Sequence, residues 1–446
     1  QYHRYTIDIY VHYALLAKAV RRDTAHAVLP ALSRMFDVLL HLTRGDGTIP
    51  LVGDDDGGRL VQLDGRPPHD VRALLATGAV MLEREDLAWV GRGDDAAHCW
   101  LLGSRAVELR DALVSKAPPA CARAFRDGGI YTMRDGWGNS SSVAVIDAGP
   151  HGALSYGHSH ADALSIDLSI AGRPLFVDAG TYTYVGDERN AFRATSAHNT
   201  VEIDGVGTSI PDTAFRWRKV SHATATAWEA APEYSYFSGT HDGYRDLPDP
   251  VQHERAVLHN HEGLWVVRDA ISSAGRHSAV LRWHCAPGLN PLEVREASGQ
   301  SQLAIDELSS PRALLVMCGS AAGGMSLDAG WVSGQFGHKA AATVCTWRQP
   351  VNGNAVLASI VIDSARYGIA PSGGNDHAAR VHGAAAVLAL DIVASANTEQ
   401  MLIMVGNGGT LTFNRRQFDA DIVLLRIDTL TGQQLGQIAV PLLSPA

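Results

Sequence analysis

The densest group of side chains able to do chemistry lies in S155-Y-G-H-S-H-A-D162, followed by Asp178 in LFVDAGTYTY and His198 in RNAFRATSAHNT. If the backbone through His158, His160 and Asp162 is extended, alternate residues point to one side and the two imidazoles share a face. Such a face can hold a metal ion or a proton. An isolated His-x-His pair reads first as hydrogen-bonded histidines at strand ends, but Asp178 and His198 close by favour a metal. His160, Asp178 and His198 offer two neutral nitrogens and one carboxylate, a donor set that suits zinc with a further position open; calcium is the alternative ion.

These residues need elements to hold them. Leu29, Leu32, Met35, Phe36, Leu39 and Leu40 recur at the three-and-four spacing of one helix face, and Tyr5 to Arg22 and Val71 to Glu85 read the same way. Between the second and third helical segments runs GDGTIPLVGDDDGGRL, long enough to line a site. Its Asp54, Asp55 and Asp56 suggest calcium, yet the twelfth position of a calcium loop counted from Asp54 is Gly65, so we expect a solvated loop near a cleft. After Lys116-Ala117-Pro118-Pro119 the pattern changes to short β-branched or alternating runs such as ALSIDLSIAG, RPLFVDAG, GLWVVRDAI, AVLASIVID and DIVLLRIDTL. The predicted class is α+β multidomain: a helical module over residues 1–117, then stacked antiparallel β-sheets in a sandwich over 118–446, with a further division near 350 as one option.

Composition narrows the function. The 446 residues carry a formal charge of −10, which repels nucleic acid and anionic lipid, so a polyanionic substrate would need a local basic cleft. No apolar run approaches the roughly 20 residues of a membrane span, and we expect neither a nucleic-acid nor a membrane partner. The five cysteines form no Cys-x-x-Cys pair and suggest neither a zinc ribbon nor a disulfide framework. The first residue is Gln1, with no initiator Met or signal region, so the start reads as a cut and an upstream segment is expected.

The blocks YGHSHADALSIDLSIAGRPLFVDAGTYTY and RNAFRATSAHNTVEIDG, with the later GTHDGYRDLPDPVQHER and the opening QYHRYTIDIY, resemble the heparinase II/III-like polysaccharide lyases. The resemblance spans residues 1 to about 285 in order. It implies an N-terminal (α/α) toroid, of which only the final helices are present, packed on a stacked antiparallel β-sheet domain with the cleft between them. It also implies β-elimination on a uronate-containing acidic polysaccharide. Such a reaction must neutralise the uronate carboxylate, remove the C5 proton and protonate the leaving O4.

On this resemblance Tyr2 is the proton donor to O4, and His158 is the catalytic histidine. His160, Asp178 and His198 are the ligands of one divalent ion that stiffens the site. His241 and Tyr244, in a loop with Arg245, resemble the cleft wall. Arg189 and Arg193 could bind carboxylate or sulfate in a bidentate way, or pair with Asp187 or Glu188. Tyr182 and Tyr184 could stack, handle protons or simply pack at an edge. The carboxylate-neutralising Asn or His belongs upstream of the tyrosine motif in this family, so an upstream toroid segment or a partner chain is expected to complete the site. The family also implies a periplasmic or secreted location. Two rival readings stand beside the lyase: a non-catalytic acidic-carbohydrate-binding or assembly protein on the same scaffold, and a metal-dependent glycan hydrolase.

Overall fold

The computed structural model describes the backbone of residues 2–22, 24–92, 96–113, 116–297, 300–307, 310–367, 380–381, 388–393, 399–406, 410–413, 416–428, 431 and 433–441. The apolar spacing of the first segments becomes three helices, α1 (Tyr2–Ala19), α2 (Ala25–Leu42) and α3 (Arg72–Leu82), followed by shorter helical turns as far as Asp111. Ile7, Val11, Leu32, Phe36, Leu39, Leu75 and Leu87 close into one core cluster. Gly78 on α3 sits against the Phe36 ring. A Cβ there would lie 2.5 Å from it, so any larger residue would force the buried Phe36 ring to move.

From Ala122 onward the regular structure is almost entirely antiparallel strand. The first sheet is a five-stranded meander of β1 (Ala122–Phe125), β2 (Ile130–Arg134), β3 (Val143–Asp147), β4 (Ile166–Ile170) and β5 (Arg173–Phe176). β6 (Val201–Ile203) pairs with Arg276–His284 in a four-stranded sheet, and β7 (Ile210–Thr213) and β8 (Arg216–Lys219) form a separate hairpin. An eight-stranded sheet follows, with strands Gln252–His259, Leu264–Ser272 and Ala355–Asp363 near its centre.

Burial on both faces explains why the strand Ala355–Asp363 is apolar almost throughout, without alternation. Val257, Trp265, Leu357 and Val361 face a core shared with the first and four-stranded sheets. Leu258, Val266, Ile360 and Ile362 face the opposite core, which Ile403, Ile422 and Leu424 of the last sheet help to close. Position 350 lies inside the strand His338–Asn352, and the last sheet takes its strands from Arg380 onward.

The seam between helices and sheets is made of polar anchors. Arg44, just after α2, grips Asp167 of β4 through two hydrogen bonds of 3.1 and 2.5 Å. Arg134 of β2 donates to the carbonyls of His41 and Thr43 at 2.8 and 2.9 Å. These bonds fix where the loop after Arg44 leaves the helices, and that loop enters the site.

Candidate functional site

Asp54 is the hinge of the site, and it comes from the loop expected to be solvated. The residue is 2% exposed. Its N–H donates to the His158 carbonyl at 2.9 Å, and the Asp55 N–H reaches Thr181 Oγ1 at 3.1 Å, so the loop is stitched to the β module. Gly53 turns with φ +64°, and a Cβ there would press to 3.0 Å on that same carbonyl. A calcium template alone does not reveal the role of this aspartate. The real signal was a carboxylate in a glycine-flanked loop long enough to reach a distant histidine pair.

The Asp54 carboxylate divides its two oxygens. Oδ2 lies 3.0 Å from Nδ1 of His158, and Oδ1 lies 3.0 Å from Nε2 of His160. Arg189 closes the cluster with both of its terminal nitrogens, one at 2.8 Å from Oδ2. Burial alone would raise the Asp54 pKa, but the bonds from His160 and Arg189 outweigh it and hold the group at about 2. The segment around His158 and His160 is turn and coil rather than strand. The two rings are aligned by one carboxylate and not by the pleat.

Tyr2, on the first turn of α1, brings its hydroxyl to 3.2 Å from Nδ1 and 3.4 Å from Nε2 of His158, with the ring centroids 4.8 Å apart. Partial burial, then the Asp56 charge, raises its pKa. Tyr184 bonds Tyr2 and donates to Asp56 Oδ2 at 3.3 Å. Tyr182 instead packs on Phe192 at 5.7 Å between centroids. Half of the His158 side chain is open to solvent, whereas His160 is sealed. Tyr2 and His158 line a cleft of about 870 Å³ between α2 and the first strands, walled also by Met35, Val38, Ile49, Val52 and Phe125.

Behind Asp54, the ligand atoms of His160, Asp178 and His198 all lie within 4.8 Å of one another. His198 Nδ1 bonds Asp178 Oδ2 at 2.7 Å, and Asp178 Oδ1 accepts the Gly180 N–H at 2.8 Å. Two buried nitrogens, His160 Nδ1 and His198 Nε2, have no hydrogen-bond partner. Buried polar atoms left in this state are costly, and a divalent ion held by this trio would satisfy both. The three residues therefore fit a divalent ion. Asn199 is taken up by strand stapling: its side chain donates to the Ile166 and Val177 carbonyls at 2.8 and 3.1 Å and accepts the His284 N–H at 2.7 Å.

Four residues expected to touch substrate are buried and engaged elsewhere. Arg189 is 1% exposed and pairs with Asp54, not with Asp187, Glu188 or an open cleft. It also donates to the Ala214 carbonyl at 2.9 Å, while Arg193 bonds the Thr213 carbonyl and lies over the Trp217 ring at 4.4 Å. Together they clamp the β7–β8 hairpin. His241 ends the strand Ser235–His241 instead of lying in a loop, and its Nε2 is 3.0 Å from His253 Nδ1. Tyr244 is fully buried, with its hydroxyl on the Val201 carbonyl at 2.8 Å.

The family model described as Heparinase II/III-like, C-terminal, matches residues 117–378, more than half of the chain. A heparin-sulfate lyase of Pedobacter heparinus is 28% identical over 187 residues, which are 41% of this chain and 26% of that protein. A heparin-sulfate lyase of Bacteroides stercoris is 23% identical over 176 residues, 38% of this chain and 24% of the other. The crystal structure of heparan sulfate lyase HepC from Pedobacter heparinus superposes with a TM-score of 0.66 at 20% identity, covering 99% of this chain and 58% of that one. The chain thus spans less than two thirds of the length of these relatives. At that identity the superposition shows a shared fold, and the profile match extends it to kinship: the chain belongs to the heparinase II/III-like family.

Proposed function

We propose that the chain carries the Tyr–His half of a polysaccharide lyase site, cleaving a uronate-containing polymer by β-elimination. The observation that carries this reading is the Tyr2 hydroxyl 3.2 Å from an open His158 in the lining of a cleft. Relatives named as heparin-sulfate lyases support the polysaccharide class of substrate. Asp54 accepts the Nδ1 proton of His158, leaving the Nε2 lone pair to take the C5 proton. The raised pKa of Tyr2 keeps the phenol protonated at neutral pH, ready to donate to the departing O4.

Held by His160, Asp178 and His198, a divalent ion, zinc by its donor set with calcium as the alternative, would supply rigidity and positive charge behind Asp54. Neutralisation of the uronate carboxylate is assigned to an upstream segment or partner chain, completing a toroid of which α1 to α3 are part. The proposed setting is periplasmic or secreted. Elimination leaves a conjugated double bond, so the test is ultraviolet absorbance on uronate polymers with the chain alone and with the proposed upstream toroid segment added. Products with new reducing ends but no such band would instead establish a hydrolase, and binding without products a carbohydrate-binding protein.

A further inference from the structure

The same cleft carries a positive lining that the mechanism above does not use. Arg34 projects from α2, Arg123 from β1 and Arg126 from the turn that follows it, so the three stand on both walls. All three are exposed, and none makes an ion pair or side-chain hydrogen bond among the described residues. The Arg123 guanidinium rests 5.9 Å from the Phe125 ring centroid, which leaves its nitrogen edges free.

The acids on the same lining are largely spent elsewhere. Asp37 pairs with Arg84 at 2.6 Å, and Asp54 is bound by Arg189. Arg4, the remaining cation, pairs with Asp8 at 3.2 Å. Three open guanidinium groups therefore face Asp127 as the lone remaining acid among the described lining residues, in a protein whose overall charge is −10. A local reversal of sign in an apolar-walled cleft concentrates field where an anion would lie. Guanidinium, unlike ammonium, matches planar carboxylate and sulfate oxygens two at a time.

We infer that Arg34, Arg123 and Arg126 form an anion-binding subsite for carboxylate or sulfate groups on sugar units flanking the one at His158. They are specificity-determining residues for a polymer charged at several successive positions. The inference rests on the lyase reading for its ligand class, yet it concerns equilibrium binding and is read without turnover.

The experiment measures binding of the full chain to a heparan sulfate oligosaccharide, and to its desulfated, carboxyl-reduced counterpart, by calorimetry across a salt series. Arg34→Ala, Arg123→Ala and Arg126→Ala are each expected to weaken binding about two- to five-fold, as exposed charge pairs do. Each should also lower the log–log salt slope, by up to about one where a full contact is lost. The triple variant should bind the charged and reduced ligands alike, and Arg→Lys at the three positions should restore the salt slope but only part of the affinity. Circular dichroism of each variant checks folding. Unchanged affinity and slope in the folded triple variant would overturn the subsite while leaving elimination at Tyr2 and His158 intact. Arginine-dependent binding with no ultraviolet-absorbing product would keep the subsite and sink the lyase reading.

Discussion

Two clusters in this protein are built from the same parts. At the cleft, Asp54 gathers Arg189, His158 and His160; in the β core, Asp269 gathers Arg255 and His253, with His241 bonded behind. Each arginine is at most 1% exposed, and each aspartate is held at about 2 because its arginine and histidine bonds outweigh burial. They differ in what lies beyond the ring of bonds. His241 and His253 end in the interior, where burial and then the neighbouring His253 push the His241 pKa far below its ordinary value. His158 opens on solvent and Tyr2, and His160 turns a free nitrogen toward Asp178 and His198. Residue types make a strong ion pair in both places; an unfinished valence on the far side is what makes only one of them a candidate site.

The largest expected effect tests that distinction directly. His158→Ala should lower elimination about 10²–10⁴-fold, the usual worth of a positioned acid–base group, with melting temperature and metal content nearly unchanged. His253→Ala should do the reverse, lowering the melting temperature and leaving turnover of the folded protein intact. Turnover measured beside thermal melts separates them, and loss of metal in His158→Ala would make that residue a ligand and require another base. Tyr2→Phe belongs with His158→Ala, because it removes only the hydroxyl that faces Nδ1.

Next in size is the cost of stranding a buried arginine. Asp269→Ala leaves Arg255 without a counter-charge in a fully enclosed place, and Asp54→Ala does the same to Arg189, so each should lose about 3–5 kcal/mol in urea unfolding. Only Asp54→Ala should also disturb metal retention and product formation. Equal effects of the two substitutions on turnover would erase the proposed difference between the clusters. A smaller change is expected from His160→Ala and Asp178→Ala. Elemental analysis should show one divalent ion per chain in the unmodified protein and a substoichiometric amount in either variant; a full complement in both would remove the metal assignment.

How much of this was legible beforehand follows from what each signal depends on. The helices and strands were, because α1 to α3 carry apolar side chains at helical spacing and the strands alternate or run apolar according to how many faces they bury. The closeness of His160, Asp178 and His198 was also legible, since they lie in compact blocks tied to turns and strand starts. Asp54 was not, because its role depends on 104 residues of separation from His158 and on a loop path fixed by Arg44 and Asp167. His241 and Tyr244 were misplaced for the opposite reason. Their loop-like sequence, GTHDGY, starts in a strand, and side-chain burial there is decided by a sheet whose other strands lie far along the chain.

The smallest effect sharpens the comparison at the seam, where the cleft wall meets the β core. His41 is buried against Phe125 and Trp137, with ring centroids 5.7 and 5.1 Å away, and burial followed by the nearby Arg134 charge lowers its pKa to about 3. In the unfolded chain the same imidazole takes up a proton near its ordinary 6.5. Above that pH neither state is protonated and His41 imposes no cost. As pH falls below about 6.5 only the unfolded chain gains the proton, so stability drops steadily until the folded imidazole titrates near 3. At pH 5 the loss from this one group is about 2 kcal/mol. Asp54 and Asp269, held at about 2, lose their contribution only below about pH 4, whereas Asp147, raised to about 6 by burial, takes up its proton in the fold within the same interval as the histidines and works in the opposite direction. His284 and His151, lowered by burial to about 3 and about 4, act in the same interval, which is why the test compares proteins rather than pH values alone. Urea unfolding of the unmodified chain and of His41→Phe, which keeps an aromatic ring between Phe125 and Trp137, should show the variant losing about 2 kcal/mol less between pH 7 and pH 5. Identical losses would mean that His41 is protonated within the fold and that the seam admits water on the cleft side as freely as the cleft itself.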